Sequence, residues 1–250
     1  MIQRKHKKTV IRFCILVFFT PIVFPGCTTI GLPNAEKVSQ INFGSPETID
    51  LCILKDSKVK QERIDKIISE MKEEVRLYDL EINVPWIRNW ERPGLTGKTI
   101  ISDIVVNPLK APCDRLMAFV SQNTGDFLLS LFNLYEYYGM VENETFTKGY
   151  SFAEWGTLTQ ILFLRSPSFV AKHEFYHMLG CGHHLFRDKC YDQIKRLKEV
   201  AKLEREAGND FFPSMTKDGR ILSTRDEVDR HLYNLIQKRT YEQLGHESSL

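Results

Sequence analysis

Four of the chain's seven histidines, His173, His177, His183 and His184, fall within twelve positions. The spacing of three of them restricts the fold more than any other feature. In His173-Glu174-Phe-Tyr-His177-Met-Leu-Gly180-Cys-Gly-His183, residues four apart share one face of an α-helix, so His173 and His177 turn two imidazoles toward one point. Glu174 lies beside that face. Gly180 has the backbone freedom to take the left-handed conformation that ends a helix, and such a turn brings His183 back as a third nitrogen. The chain must therefore build a helix here, opened by Ser168 as N-cap and running to Leu179, and turn it at Gly180. Three protein nitrogens on one ion leave a fourth position open to water, which is the arrangement of catalytic rather than structural zinc. The His-Glu-x-x-His half of the pattern recurs by chance; the fixed glycine and third histidine make coincidence a poor account.

The N-terminus is of another kind. Arg4, Lys5, Lys7, Lys8 and Arg12 crowd the first twelve residues without an acid, and an apolar run, Phe13 to Pro25, leads to Gly26-Cys27. A basic stretch, a short apolar core and a small residue at the cut form a secretory signal over 1–26. Pro21 and Pro25 interrupt the run, which is too short to span a bilayer comfortably. The small-residue-then-Cys ending resembles a bacterial lipoprotein signal, in which the cysteine, here Cys27, is acylated; an ordinary signal peptide cut nearby is the plainer reading. Both send the chain out of the cytoplasm: to the cell envelope, lipid-anchored, on the first. Without that segment the formal charge of +2 becomes −3, from 29 basic against 32 acidic residues. A near-neutral body with no basic run gives no reason to expect a nucleic-acid partner.

Export also changes how the cysteines read. Cys52, Cys113, Cys181 and Cys190 remain beyond Cys27, and four cysteines allow three pairings. The short local loop favours Cys181–Cys190, with Cys52–Cys113 by elimination; free buried thiols are the alternative.

Along the body, residues 28–46 lack periodicity and read as a tether. Thr48–Leu54 alternates as a strand, and Val59, Ile64, Ile67, Ile68, Met71 and Val75 recur at helical spacing through Lys58–Leu77. Leu80–Ile87 reads as a second strand that Pro85 demotes toward an edge. A turn-rich stretch, 88–113, precedes a third strand at Arg115–Val120. Residues 126–138 are aromatic and read as a helix on the sheet, or as the wall of an apolar cleft. Gly149–Ala153 and Leu158–Leu164 look like two further strands. Charged helices follow over about 188–206 and from Asp226 to about Leu244, the second capped by Ser223 or Thr224.

The complete pattern His173-Glu174-x-x-His177-x-x-Gly180-x-x-His183 resembles the metzincin clan of zinc metallopeptidases, over about residues 48–244. That resemblance implies an α+β fold with a twisted mixed sheet of about five strands over an active-site helix. The catalytic subdomain would span 47–183, after a 27–46 tether, and a mostly helical C-terminal subdomain 184–250. It implies one catalytic Zn²⁺ on His173, His177 and His183, Glu174 as general base, and a peptide or protein substrate. It further implies that Gly149, Tyr150, Ser151, Phe152 and Ala153 form the edge strand to which an extended peptide adds. A methionine turn under the metal would be Met215, in Phe212-Pro-Ser-Met215-Thr; Met140 and Met178 fit that place poorly. Two departures leave the subfamily open: no tyrosine closely follows Met215, and His184 follows the third ligand.

Two other readings compete. Glu199 or Glu204 could replace His183 as third ligand in a different zinc hydrolase, which would leave Gly180 and His183 unexplained. Alternatively, the chain is a zinc-containing tethered scaffold without turnover. A monomer is expected. The twenty or so residues between Cys27 and the first strand hold no second cysteine, so no inhibitory prodomain is expected.

Overall fold

The computed structural model describes residues 35–122, 138–154, 166–183 and 187–247, with side chains over 36–237 of these. The expected export signal, Cys27, nearly all of the aromatic 126–138 stretch, Leu158–Leu164 and His184 lie outside the described residues. No helix among the described residues is long and apolar enough to cross a membrane.

The elements in chain order are α1 (Ala35–Gln40), β1 (Glu47–Asp56), α2 (Gln61–Val75), β2 (Leu80–Asn83), β3 (Ile87–Trp90), α3 (Gly97–Val106), β4 (Arg115–Ser121), β5 (Gly139–Val141), β6 (Lys148–Glu154), α4 (Pro167–Met178), α5 (Asp188–Glu206), β7 (Ser214–Met215), β8 (Ile221–Leu222) and α6 (Arg225–Glu247). They form the expected mixed sheet over a helix. The strand order is β2-β1-β4-β6-β5, with β3 also on β1. Every pairing is parallel except β5 on β6.

Both faces of this sheet are covered, as parallel strands require. Ile49, Leu51, Ile53, Met117, Phe119 and Ala153 belong to one apolar cluster with buried residues of α2, α4 and α5. Cys52, Leu116, Ala118, Val120, Tyr150 and Phe152 belong to a second, covered by Ile100 and Ile104 of α3 and Val228 and Leu232 of α6. Each fully buried aliphatic or aromatic side chain contributes about 1.5–3 kcal/mol by leaving water. The Sγ atoms of Cys52 and Cys113 are 1.95 Å apart and those of Cys181 and Cys190 2.13 Å apart, as disulfides.

Several expectations need correction. The stretch expected as a single strand over 80–87 is two, because Pro85 has no N–H to give the ladder; Leu80–Asn83 pairs with Glu47–Asp50 and Ile87–Trp90 with Ile53–Asp56. The turn-rich 88–113 contains a helix, α3, whose N-cap Thr96 accepts from Thr99 N at 3.2 Å. The tether does not reach residue 46. Residues 35–40 are helical, and Phe43 is buried against the edges of Tyr78 and Tyr191, ring centroids 5.3 and 6.4 Å away. Of the two caps considered for the last helix, Thr224 does the capping: its Oγ1 accepts from Glu227 N at 3.2 Å, while Glu227 accepts from Ser223 N at 2.8 Å.

Candidate metal centre

The helix that carries the histidines is capped two residues before Ser168. Ser166 is its N-cap, accepting from Phe169 N at 3.2 Å, and Pro167 occupies the first helical position, where its missing N–H costs nothing. Ser168 is instead buried inside the first turn. At the other end Gly180 has φ +78°. Its N–H donates to His177 O at 2.8 Å and that of Cys181 to Tyr176 O at 3.0 Å, the paired bonds of a Schellman turn.

This turn brings the three histidines together. The candidate ligand atoms of His173, His177 and His183 all lie within 4.8 Å of one another. His173 Nε2 and His177 Nε2 are 3.2 Å apart. Two nitrogens at the usual ~2.0–2.1 Å from one tetrahedral ion stand about 3.4 Å apart, so this pair already has the separation a zinc ion would impose. Three imidazoles and no thiolate suit zinc among other first-row divalent ions. The residues fit the group. Among the described residues, this is the one cluster of three or more His, Cys, Asp or Glu side chains suited to hold a metal. Glu199 and Glu204 are not part of it. Glu199 is exposed beside Lys195, and Glu204 accepts from Asn209. The third-ligand alternative is thereby removed.

Electrostatics prepare the site. His177 donates from Nδ1 to Cys181 O at 2.7 Å, a bond that leaves its Nε2 lone pair for an ion. Burial pulls the His177 pKa down to about 4, the bond to Cys181 opposing that shift and the charge of His183 reinforcing it; at neutral pH the ring is a neutral ligand. His173 is 6% exposed and Glu174 4%. Burial pushes the Glu174 carboxyl up to about 8.

Two surrounding groups escaped sequence reasoning. Arg115, fully buried at the start of β4, donates from Nε to Met178 O at 2.9 Å, from Nη1 to Phe212 O at 3.1 Å and from Nη2 to Pro213 O at 2.7 Å. It thus ties the end of the histidine helix to the segment before Met215. Burial lowers its pKa to about 10, partly offset by Asp114 and Glu142, so it stays charged. The second group centres on Glu74 of α2, whose Oε1 accepts from Tyr176 Oη at 2.7 Å and Arg187 Nη1 at 3.0 Å. Arg187 also donates to Tyr176 Oη at 2.8 Å and lies over its ring at 4.5 Å. Arg187, immediately before α5, is thereby tied to the histidine helix and to α2.

Met215 lies in β7, and its Sδ accepts from Gln193 Nε2 at 3.2 Å. The same Gln193 nitrogen is 3.2 Å from where a Cβ on Gly180 would sit, so Gln193 joins the glycine turn to the methionine. The edge-strand expectation is corrected. Gly149–Ala153 lies within β6, an inner strand between β4 and β5, and all five residues are buried. The antiparallel strand at that end of the sheet is β5, Gly139–Val141.

No protein-family model matches the chain, and no curated protein does. Among solved structures, the crystal structure of archaemetzincin (amzA) from Methanopyrus kandleri is similar at a TM-score of 0.38 and 12% identity, over 64% of this chain and 96% of that one. A likeness of that size bears no weight. The histidine geometry does.

Proposed function

We propose that the chain is a zinc-dependent peptidase. The carrying observation is the convergence of His173, His177 and His183 with Glu174 on the adjoining helix turn. Held by His173, His177 and His183, a zinc ion would supply a water acidified toward neutrality and a Lewis acid for a carbonyl oxygen. Glu174 acts as general base, taking a proton from the attacking water and delivering it to the leaving amine. His177, fixed by Cys181, keeps one nitrogen directed at the ion. An extended peptide would lie along β5 rather than β6. The ladder bonds run from Phe152 N to Tyr138 O and from Glu142 N to Lys148 O, both at 2.9 Å. By antiparallel alternation the N–H and C=O of Gly139 and Val141 then point away from β6, toward an incoming strand.

The test is incubation with a mixed peptide library, with and without a chelator. Cleavage that a chelator abolishes and Zn²⁺ restores supports the proposal. One bound zinc per chain without cleavage overturns it in favour of a zinc-containing scaffold.

We also propose export and anchoring through an acyl group on Cys27. The basic, apolar, Gly26-Cys27 order supports this reading, and two disulfides are at home in an oxidising compartment. Labelled fatty acid incorporated by the wild type and not by Cys27→Ser would support it; equal labelling would refute it.

A further inference from the structure

Gly139 and Ser151 stand directly opposite one another on β5 and β6. The ladder bonds at 138/152 and 142/148 make 139/151 a non-hydrogen-bonded pair, the type in which backbones are closest and both side-chain directions share one face. That face looks at α4. A Cβ built on Gly139 would meet Glu174 Cγ at 2.5 Å, Oε1 at 2.7 Å and Cδ at 2.8 Å. Three atoms of the same carboxylate arm lie closer than any side chain at 139 would permit.

Ser151 shares this seat from the other strand. A Cβ on Gly149 would meet Met178 Cε at 3.1 Å, and Ala153 belongs to the apolar cluster that holds Ala171 and Phe175. As the cross-strand neighbour of Gly139, Ser151 turns its side chain to the same face of the sheet. Its side chain is 0% exposed, and its Oγ has no hydrogen-bond partner among the described residues. A buried hydroxyl left unbonded is destabilising, and the carboxylate of Glu174 is an acceptor on the same face.

We propose that Gly139 and Ser151 are positioning residues for Glu174. Gly139 leaves the space that the carboxylate arm occupies, and the hydroxyl of Ser151 is the donor for that carboxyl group. The proposal rests on Glu174 as the general base, and it adds that the strand an incoming peptide would join also fixes where the base stands. An alanine at 139 would push the arm aside without touching a histidine.

The test is a cycle read by thermal unfolding and by zinc binding, with turnover as a separate measurement. Gly139→Ala is expected to lower Tm by about 2–4 °C in the wild type, and by less than half as much in a Glu174→Ala background, where the obstructing atoms are gone. Equal losses in the two backgrounds would overturn the steric half, as would an unaltered Glu174 rotamer in a crystal structure of Gly139→Ala. Ser151→Ala is expected to keep one zinc per chain and an unchanged KM while kcat falls about ten-fold. Wild-type kcat would overturn the hydroxyl half, and so would a rise in KM alone. Should the wild type cleave no peptide, the peptidase reading fails, while the unfolding cycle still decides whether Gly139 seats Glu174.

Discussion

His177 and Cys181 are joined by a 2.7 Å hydrogen bond from ring nitrogen to carbonyl oxygen, and the sulfur of the same cysteine is bonded to Cys190 at the start of α5. One residue thus orients one candidate ligand and ties the turn after the histidine helix to α5. Replacing both cysteines, Cys181→Ser with Cys190→Ser, is expected to weaken zinc binding about 10–100-fold. Competition against a chromophoric chelator measures this. The Cys52→Ser, Cys113→Ser pair, on the sheet's other face, should lower Tm and leave zinc affinity as it was.

Glu174→Gln preserves shape and removes the base. Zinc stoichiometry should stay at the wild-type value while turnover of any cleaved peptide drops by about 10²–10⁴. Metal analysis and kinetics on the same preparation check this. A variant that cleaves at the wild-type rate would sink the assignment.

The Glu74 cluster carries a pH signature. Burial raises the carboxyl's pKa, but the hydrogen bonds from Tyr176 and Arg187 and the charges of Lys172 and Arg187 outweigh it, leaving the group below its ordinary 4.5. A depressed carboxyl contributes stability that is fully present above the unfolded value and is lost as pH falls through the folded one. Urea midpoints should therefore hold above pH ~5 and decline in more acid solution, and Glu74→Gln should lower the plateau and flatten that decline. An unchanged acid limb in the variant would refute the attribution.

Arg115→Met should be among the most damaging single changes away from the histidines. It removes one buried cation that serves the carbonyls of Met178, Phe212 and Pro213 and neighbours buried Asp114. Stripping one member from such a buried group costs about 3–5 kcal/mol. Denaturant unfolding measures it, and a loss under 1 kcal/mol would show that water replaces the guanidinium.

The sequence was legible where one residue type has one physical use. Gly180 and the i,i+4 histidines could be read directly, because the helix and the left-handed turn have fixed periods. The alternation of Thr48–Leu54 and the spacing of Ile64, Ile67, Met71 and Val75 announced β1 and α2. Order within the sheet was not legible: nothing local in Gly149–Ala153 says whether another strand lies outside it, and a three-residue strand such as β5 is too short to show a period. α3 was hidden because the flanking Pro93-Gly94 and Pro108 outweighed Thr96 and the Ile100/Ile104 spacing. The roles of Arg115 and Lys198 were not legible, for one reason. Both are cations whose partners are backbone carbonyls far along the chain: Lys198 reaches Tyr78 O at 2.7 Å and Asp79 O at 2.9 Å from within a helix that reads as solvated.

The brevity of β5 has a consequence for the chain's solubility. An open sheet border that can receive a guest strand can equally receive a second copy of the protein, and long flat borders seed fibres. Among the described residues the border strand stops after three residues, at Val141, and the carboxylate of the next residue, Glu142, is engaged by the N–H groups of Glu144, Thr145 and Thr147 at 2.7–3.0 Å. A border strand of three residues offers a growing stack little to copy.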